Sequence, residues 1–259
     1  MGVEVHPTAI IEREVELEED VFIGPYCIIG KGARIRRGVR LISNVIIEGR
    51  TEIGEETTIY PFSSIGLPPQ DMKYHGEETG VFIGKKNIIR EYTTIHRASV
   101  GGDGMTTIGD NNFLMAYVHI AHDCKIGNHI VMANAATLAG HVKVEDYAVI
   151  GGLVAVHQFT RIGAYAMVGG FSGIGQDIPP YMMASGARAR LYGLNTVGLK
   201  RHGFSEQTIS ELKKAYKILF REKRTLKDAI KKVQQDLPYS DEIRHLIGFI
   251  EENKRGICR

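Results

Sequence analysis

The chain has 259 residues, 43% apolar and 24% charged, with a formal net charge of +2. That balance excludes a disordered or collagen-like chain despite 30 glycines, and Cys27, Cys124 and Cys258 are too few and too scattered for a disulfide framework or a thiolate zinc site. The N-terminus has no basic-then-apolar leader, and the glycine-rich uncharged stretch 162–176 is too short to span a bilayer, so a cytoplasmic protein without a membrane span is expected.

In chain order the first signal is a six-residue repeat. From Val5 every sixth residue is aliphatic: Ile11, Leu17, Ile23, Ile29, Ile35, Leu41, Ile47, Ile53, Ile59 and Ile65. The phase returns at Ile83, Ile89 and Ile95. After a further shift it runs from Ile108 through Leu114, Ile120, Ile126, Met132, Leu138, Val144, Ile150, Val156, Ile162 and Val168 to Ile174. Two residues earlier in the hexad sit small or β-branched groups such as Ala33, Val39, Cys124 and Val142. A period of six fits neither a helix nor a hairpin. It predicts a mainly β chain, a parallel β-helix in which three hexads make one triangular coil. The aliphatic side chain points into the prism. The glycine that often follows, as in Ile23-Gly24, Ile53-Gly54, Ile126-Gly127 and Ile162-Gly163, is expected to free the backbone for the corner.

Two segments break the phase, at about 66–80 and 96–106. Insertions in repeat proteins leave the stack as loops and commonly build the binding face. The prism is therefore expected over 1–180. Residues 181–203 read as an irregular link. Three amphipathic helices follow at roughly 205–222, 225–236 and 240–253, N-capped by Ser205, Thr225 and Ser240. Residues 181–259 thus form the link and a small C-terminal α-helical domain that caps the prism. Charge divides along the same line: 1–180 hold 15 basic and 21 acidic side chains, whereas 181–259 hold 17 and 9. The basic end, Lys213, Lys214 and Lys217 included, is either a docking surface for an acidic partner or a solvated helical face.

Position within the coil assigns each residue to an edge. His122 stacks with Gly140 and Asp123 with His141, each 18 residues on. His157 lies two coils from Ala121, His119 precedes His122 across the bend, and His96 maps beside Ala121 if the second insertion adds seven residues. His96, His119, His122, His141 and His157 thus share one edge, while His6, His75, His129, His202 and His245 do not join it. A lone histidine is more often a satisfied structural residue; five on one edge call for chemistry. One chemistry is a general base near neutral pH, with Asp123 steadying the imidazole. The other is a zinc site of three imidazoles.

These residues also carry a resemblance. HPTAI at 6–10, QDMKY at 70–74, TIHR at 94–97, HIAHDCKIGN at 119–128, NAATLAGHV at 134–142, VHQF at 156–159, GGFSGIGQDIPPY at 169–181 and GLKRHGF at 198–204 span the chain. Together they resemble the UDP-N-acetylglucosamine acyltransferases that begin lipid A synthesis. The resemblance implies a left-handed parallel β-helix and a homotrimer with sites between neighbouring prisms. It implies transfer of a 3-hydroxyacyl chain from acyl carrier protein to the glucosamine 3-position of a UDP sugar, whether hydroxyl or amine. His122 would be the general base, Asp123 its partner and the Gly140 N–H the oxyanion donor. Gln70, Asp71, Lys73, His96, His119, His141, His157, Gln158, Asn195 and Arg201 would contact substrate, and Gly170 would leave the acyl groove open. No metal, cofactor or nucleic acid is implied. Val197 and His202 depart from the acidic and basic residues of many members in the nucleotide-binding stretch. A zinc-dependent γ-type carbonic anhydrase and a non-catalytic trimeric scaffold are the alternatives.

Overall fold

Strands of two to five residues lie along the three faces of a prism in this computed structural model, which describes residues 2–259. Through the hexads neighbouring coils pair their strands in parallel. The first face begins with Glu4–Val5, Phe22–Ile23 and Arg40–Leu41, the second with Ile10–Ile11, Ile28–Ile29 and Ile46–Ile47, and the third with Glu16–Leu17, Arg34–Ile35 and Arg50–Ile53. The hexad aliphatics stack in register, Ile47 on Ile65 and Leu138 on Val156. From Ile23 to Ile174 they are buried, each stabilising the fold by roughly 1.5–3 kcal/mol. Ile95 pairs with Ile120, so the second insertion does lengthen its coil by seven residues.

The corners correct the expectation for glycine. Non-glycine residues with φ near +60° turn the chain, among them Glu14, Tyr26, Asp123, His141 and Phe159. That conformation costs roughly 1–2 kcal/mol per residue. A hydrogen bond to the preceding coil offsets it: the N–H of His141 donates to the His122 carbonyl, that of Phe159 to Gly140, and that of Tyr147 to Asn128. Gly24, Gly54 and Gly163 do something else. A Cβ on them would lie 1.8, 2.4 and 2.3 Å from backbone of the next coil. Glycine follows the aliphatic residue because coils approach closely there.

The outward positions differ by face. Ile88, Val131, Val149 and Met167 stand on the first and Ile10, Ile28, Ile46 and Ala155 on the second, whereas the third displays Glu16, Arg34, Glu52, Lys125, Lys143 and Arg161. Phe62, Tyr92 and Tyr117 stack at 5.0 and 4.8 Å along the corner between the two apolar faces.

Beyond the hexads, Met182–Ser185 continues the first face and Arg190–Leu194 returns antiparallel to it. Helices α1 (Thr196–Arg201), α2 (Glu206–Phe220), α3 (Leu226–Asp236) and α4 (Asp241–Glu251) follow. Ser205, Thr225 and Ser240 cap α2, α3 and α4 through the N–H groups of Thr208, Asp228 and Ile243, as expected. The strands and α1 fall in the stretch read as irregular, because elements of six residues or fewer show no periodicity. Leu199, Leu212, Ile243 and Ile247 are buried in the core. At the other end of the prism Val5 is 41% exposed. Among the described residues no helix is long and apolar enough to cross a membrane.

Candidate active site

The corner between the second and third faces carries the chemistry. His119–Ile120 lies on the second face and Lys125–Ile126 on the third, and His122 and Asp123 make the turn between them. Asp123 is 5% exposed. Its Oδ2 lies 2.8 Å from His122 Nδ1 and accepts the Ser99 backbone N–H at 3.0 Å. A carboxylate only accepts, so Nδ1 carries the hydrogen and Nε2 keeps its lone pair. Asp123 Oδ1 has no hydrogen-bond partner among the described residues, and Gly102 presses against it so closely that a Cβ there would collide with it.

Gly140 sits one coil on from His122. A Cβ on Gly140 would lie 2.6 Å from His122 Nε2, so a glycine is needed for the ring to rest where it does. The Gly140 N–H makes no hydrogen bond among the described residues, which leaves a free backbone donor beside a basic nitrogen. His141 closes the other side. Its Nε2 lies 3.9 Å from Asp123 Oδ2, its ring meets that of His122 edge-on at 5.1 Å, and Phe159 stacks beneath it at 4.5 Å.

His96 and His119 form a second edge-on pair at 5.1 Å, with Thr94 Oγ1 2.7 Å from His119 Nδ1. Burial pushes the His96 pKa down to about 4, helped by repulsion from His119 and His122. Burial also lowers the pKa of His119 and that of His141, the latter opposed in part by Asp123. These rings are therefore neutral at neutral pH, suited to hydrogen bonding rather than to carrying charge.

The first loop leans on the second. Thr79 Oγ1 donates to the Ala98 carbonyl at 2.5 Å, and the Arg97 N–H donates to that of Leu67 at 3.2 Å. Asp71 accepts the Ser99 hydroxyl at 2.6 Å and the Lys73 N–H at 3.1 Å. These bonds, the Ser99 hydroxyl first, hold its carboxyl below the usual range. Gln70 and the Lys73 side chain are exposed.

Other expected residues lie elsewhere. His157 keeps its line two coils on, but its Nδ1 meets Arg255 Nη2 at 3.0 Å; Gln158 is exposed beside it. Gly170 lies at the corner between the first and second faces, after Met167–Val168 and before Gly173–Ile174. Asn195 and α1 lie by the remaining corner. The buried Asn195 amide donates to the Tyr165 carbonyl and accepts the Gly198 N–H, capping α1. Arg201 is exposed on that helix. His202 packs edge-on against Tyr147 and Tyr165, and Val197 is exposed. Sequence reasoning passed over Ser99 and Gly102, which lie in an aperiodic insertion, and Lys143, whose place beside the site shows only through the stacking of Lys125, Lys143 and Arg161.

A groove of about 780 Å³ opens on Asp123 and His141 and runs over Lys125, Lys143 and Arg161 to Lys254 and Arg255. Lys125 pairs with Asp103, and Arg161 with Asp177 at 2.8 Å; Lys143 makes no ion pair among the described residues. His122, Asp123 and His141 also offer ligand atoms within 4.8 Å of one another, close enough to hold a metal.

Known proteins align with this architecture over the whole chain. A family profile described as UDP-N-acetylglucosamine O-acyltransferase, domain 2, matches residues 177–258, and one for the bacterial transferase hexapeptide (six repeats) matches 105–140. An acyl-[acyl-carrier-protein]–UDP-N-acetylglucosamine O-acyltransferase of Thermodesulfovibrio yellowstonii is 70% identical over 99% of either chain. Its namesake in Syntrophobacter fumaroxidans is 49% identical over 99% of this chain and 100% of its own. The solved UDP-N-acetylglucosamine acyltransferase of Campylobacter jejuni superposes with a TM-score of 0.93 at 41% identity, covering 98% of this chain and 99% of that one.

Proposed function

Since the chain belongs to the UDP-N-acetylglucosamine O-acyltransferase family, we propose that it moves a 3-hydroxyacyl chain from acyl carrier protein to the glucosamine 3-position of UDP-N-acetylglucosamine, the first step of lipid A biosynthesis. The observation that carries this reading is His122, tied through Nδ1 to Asp123 and packed against Gly140, whose N–H makes no hydrogen bond among the described residues. Nε2 takes the proton of the sugar hydroxyl as its oxygen attacks the thioester carbonyl. The tetrahedral oxyanion forms beside the Gly140 N–H, a fixed donor that needs no reorganisation. Collapse breaks the C–S bond, and the imidazolium returns its proton to the departing thiolate. Asp123 stabilises the imidazolium while it lasts.

We read the working assembly as a homotrimer of parallel prisms. Its support is the outward apolar side chains on the first and second faces, Ile88, Val131, Val149 and Met167 and Ile10, Ile28 and Ile46 among them, joined by the Phe62–Tyr92–Tyr117 stack. Further support is that Gly170 and Asn195 stand on other corners than His122. A groove joining all of them needs a neighbouring chain. The groove beside Asp123 is lined by both signs of charge, and Lys143, which makes no ion pair among the described residues, is the cation it offers to an acidic acyl carrier. Cys27, Cys124 and Cys258, all buried and unpaired, fit a cytoplasmic enzyme.

The test is an assay with UDP-N-acetylglucosamine, its 3-amino analogue and hydroxyacyl carrier proteins of several lengths, before and after chelation. Acylated UDP sugar and free carrier thiol should appear in equal amounts, unaffected by the chelator. Zinc bound one per chain, with no transfer from any carrier, would replace this reading with the hydratase suggested by the His122–Asp123–His141 cluster.

A further inference from the structure

The two insertions meet at Ser99, a residue the mechanism above does not use. Ser99 is 2% exposed. Its backbone N–H donates to Asp123 Oδ2 at 3.0 Å, and its hydroxyl donates to Asp71 Oδ2 at 2.6 Å. Because the same Asp123 oxygen also lies 2.8 Å from His122 Nδ1, one hydrogen-bonded line runs from His122 through Asp123 and Ser99 to Asp71.

The two ends of this line are fixed differently. Asp123 belongs to a packed corner, whereas Asp71 lies in a loop whose next residue, Met72, is 99% exposed. That loop is tied at its ends, by Leu67 to Arg97 and by Thr79 to Ala98. Between those ties the Ser99 hydroxyl is what joins Asp71 to the second loop. The two carboxylates flanking Ser99 repel one another, and Ser99 answers each with a different donor. We propose that Ser99 is a positioning residue: its hydroxyl holds the Asp71 carboxylate, and with it the crest of the first loop, against the His122–Asp123 pair, so that the sugar nucleotide is seated in reach of the base. This rests on the reading that Asp71 and Lys73 face the sugar nucleotide.

Removing the hydroxyl frees Asp71 but leaves the backbone bond to Asp123, so seating and chemistry separate. In Ser99→Ala the KM for UDP-N-acetylglucosamine should rise about 10- to 100-fold, the loss expected for a hydrogen bond to a charged group, while kcat falls by less than about threefold. Ser99→Thr, which keeps the hydroxyl, should recover most of the loss. In an Asp71→Ala background Ser99→Ala should add less than about twofold, since its route is already cut. Hydrogen exchange should quicken over 66–80 in Ser99→Ala and stay unchanged over 119–142. The proposal falls if kcat drops as much as KM rises, if the two losses multiply in full, or if exchange over 66–80 is unaltered. The exchange result decides even if the wild-type protein transfers no acyl group, an outcome that would instead remove the acyltransferase reading.

Discussion

The coils of residues 4–65 and those of 105–177 share one backbone and differ in what they display. On the third face the lower coils stack Glu16, Arg34 and Glu52, charges of alternating sign. Arg34 pairs with Glu16 at 3.2 Å, and one coil position over, Arg36 reaches both Glu18 and Glu52 at 2.8 Å. The upper coils stack Lys125, Lys143 and Arg161, all of one sign. Stacked opposite charges contribute roughly 0.2–1 kcal/mol each, and like charges destabilise. The corner beside that face changes as well, from Glu14, Gly32 and Gly49 below to Asp123, His141 and Phe159 above. The inward aliphatics are the same in both regions, so the outward positions are free to vary. The lower coils use them for stability, and the upper coils use them to gather imidazoles and cations.

The sharpest test of this contrast is His122→Ala. It should lower kcat by about 10²–10⁴-fold with UDP-sugar binding retained, and the rising limb of the pH–rate profile should vanish. Glu14→Ala, at the matching corner below, should leave kcat alone; equal kinetics for the two variants would erase the distinction. His96, in the coil between the two regions, should add acid sensitivity. Folded His96 titrates at about 4 against an ordinary 6.5. Above pH 6.5 the folded and unfolded chains are both neutral there. Below it the unfolded chain takes a proton that the folded one refuses, so stability falls and levels off near pH 4, by roughly 3 kcal/mol. Urea titrations of wild type and His96→Asn between pH 7 and 4 measure that slope, which the variant should reduce to the part that His119 and His141, also lowered by burial, still supply.

Smaller effects separate the two charge ladders. Lys143→Glu should raise the KM for acyl carrier about 10-fold with little change for the UDP sugar, an effect that added salt weakens in the manner of exposed charges. Arg34→Glu should cost about 1 kcal/mol of stability and leave both KM values unchanged. Lys213, Lys214 and Lys217 on α2 line no part of the groove that holds Lys143. If reversing them matches Lys143→Glu, overall charge rather than the ladder recruits the carrier.

The prism was legible because its inward position repeats without exception, and because a fixed coil length turns sequence separation into spatial stacking. That arithmetic paired His122 with Gly140 and Asp123 with His141, and the corner hydrogen bond from His141 to the His122 carbonyl sits where it requires. Chemistry inside the insertions was not legible. Ser99 reaches Asp71 across 28 residues of aperiodic chain, and no pattern announces such a contact. Glycine was misassigned because tight turns and close approach leave the same letter in a sequence; Gly24 and Gly163 serve approach, while Asp123 and His141 accept the left-handed turn. Asn195 shows a further limit. Its amide donates to Tyr165 and accepts from Gly198, a capping role invisible until α1 is seen.

The uncovered first coil has a consequence for solubility. Among the described residues Glu4–Val5, Ile10–Ile11 and Glu16–Leu17 each pair on one side only, and an unpaired strand edge is a template for another chain. Two such ends meeting would continue one prism into the next and open a route to fibres. The rim of this coil, however, carries Glu4, Glu12, Glu14, Glu16, Glu18 and Glu19. Glu14, Glu16 and Glu18 are partly neutralised by Lys31, Arg34 and Arg36 of the next coil, but any second copy approaching head-on still brings an acidic rim, and the remaining repulsion opposes end-to-end joining. An acidic first coil thus does at one end of the solenoid, by charge, what the chain 177–194 does at the other by pairing with the last strands.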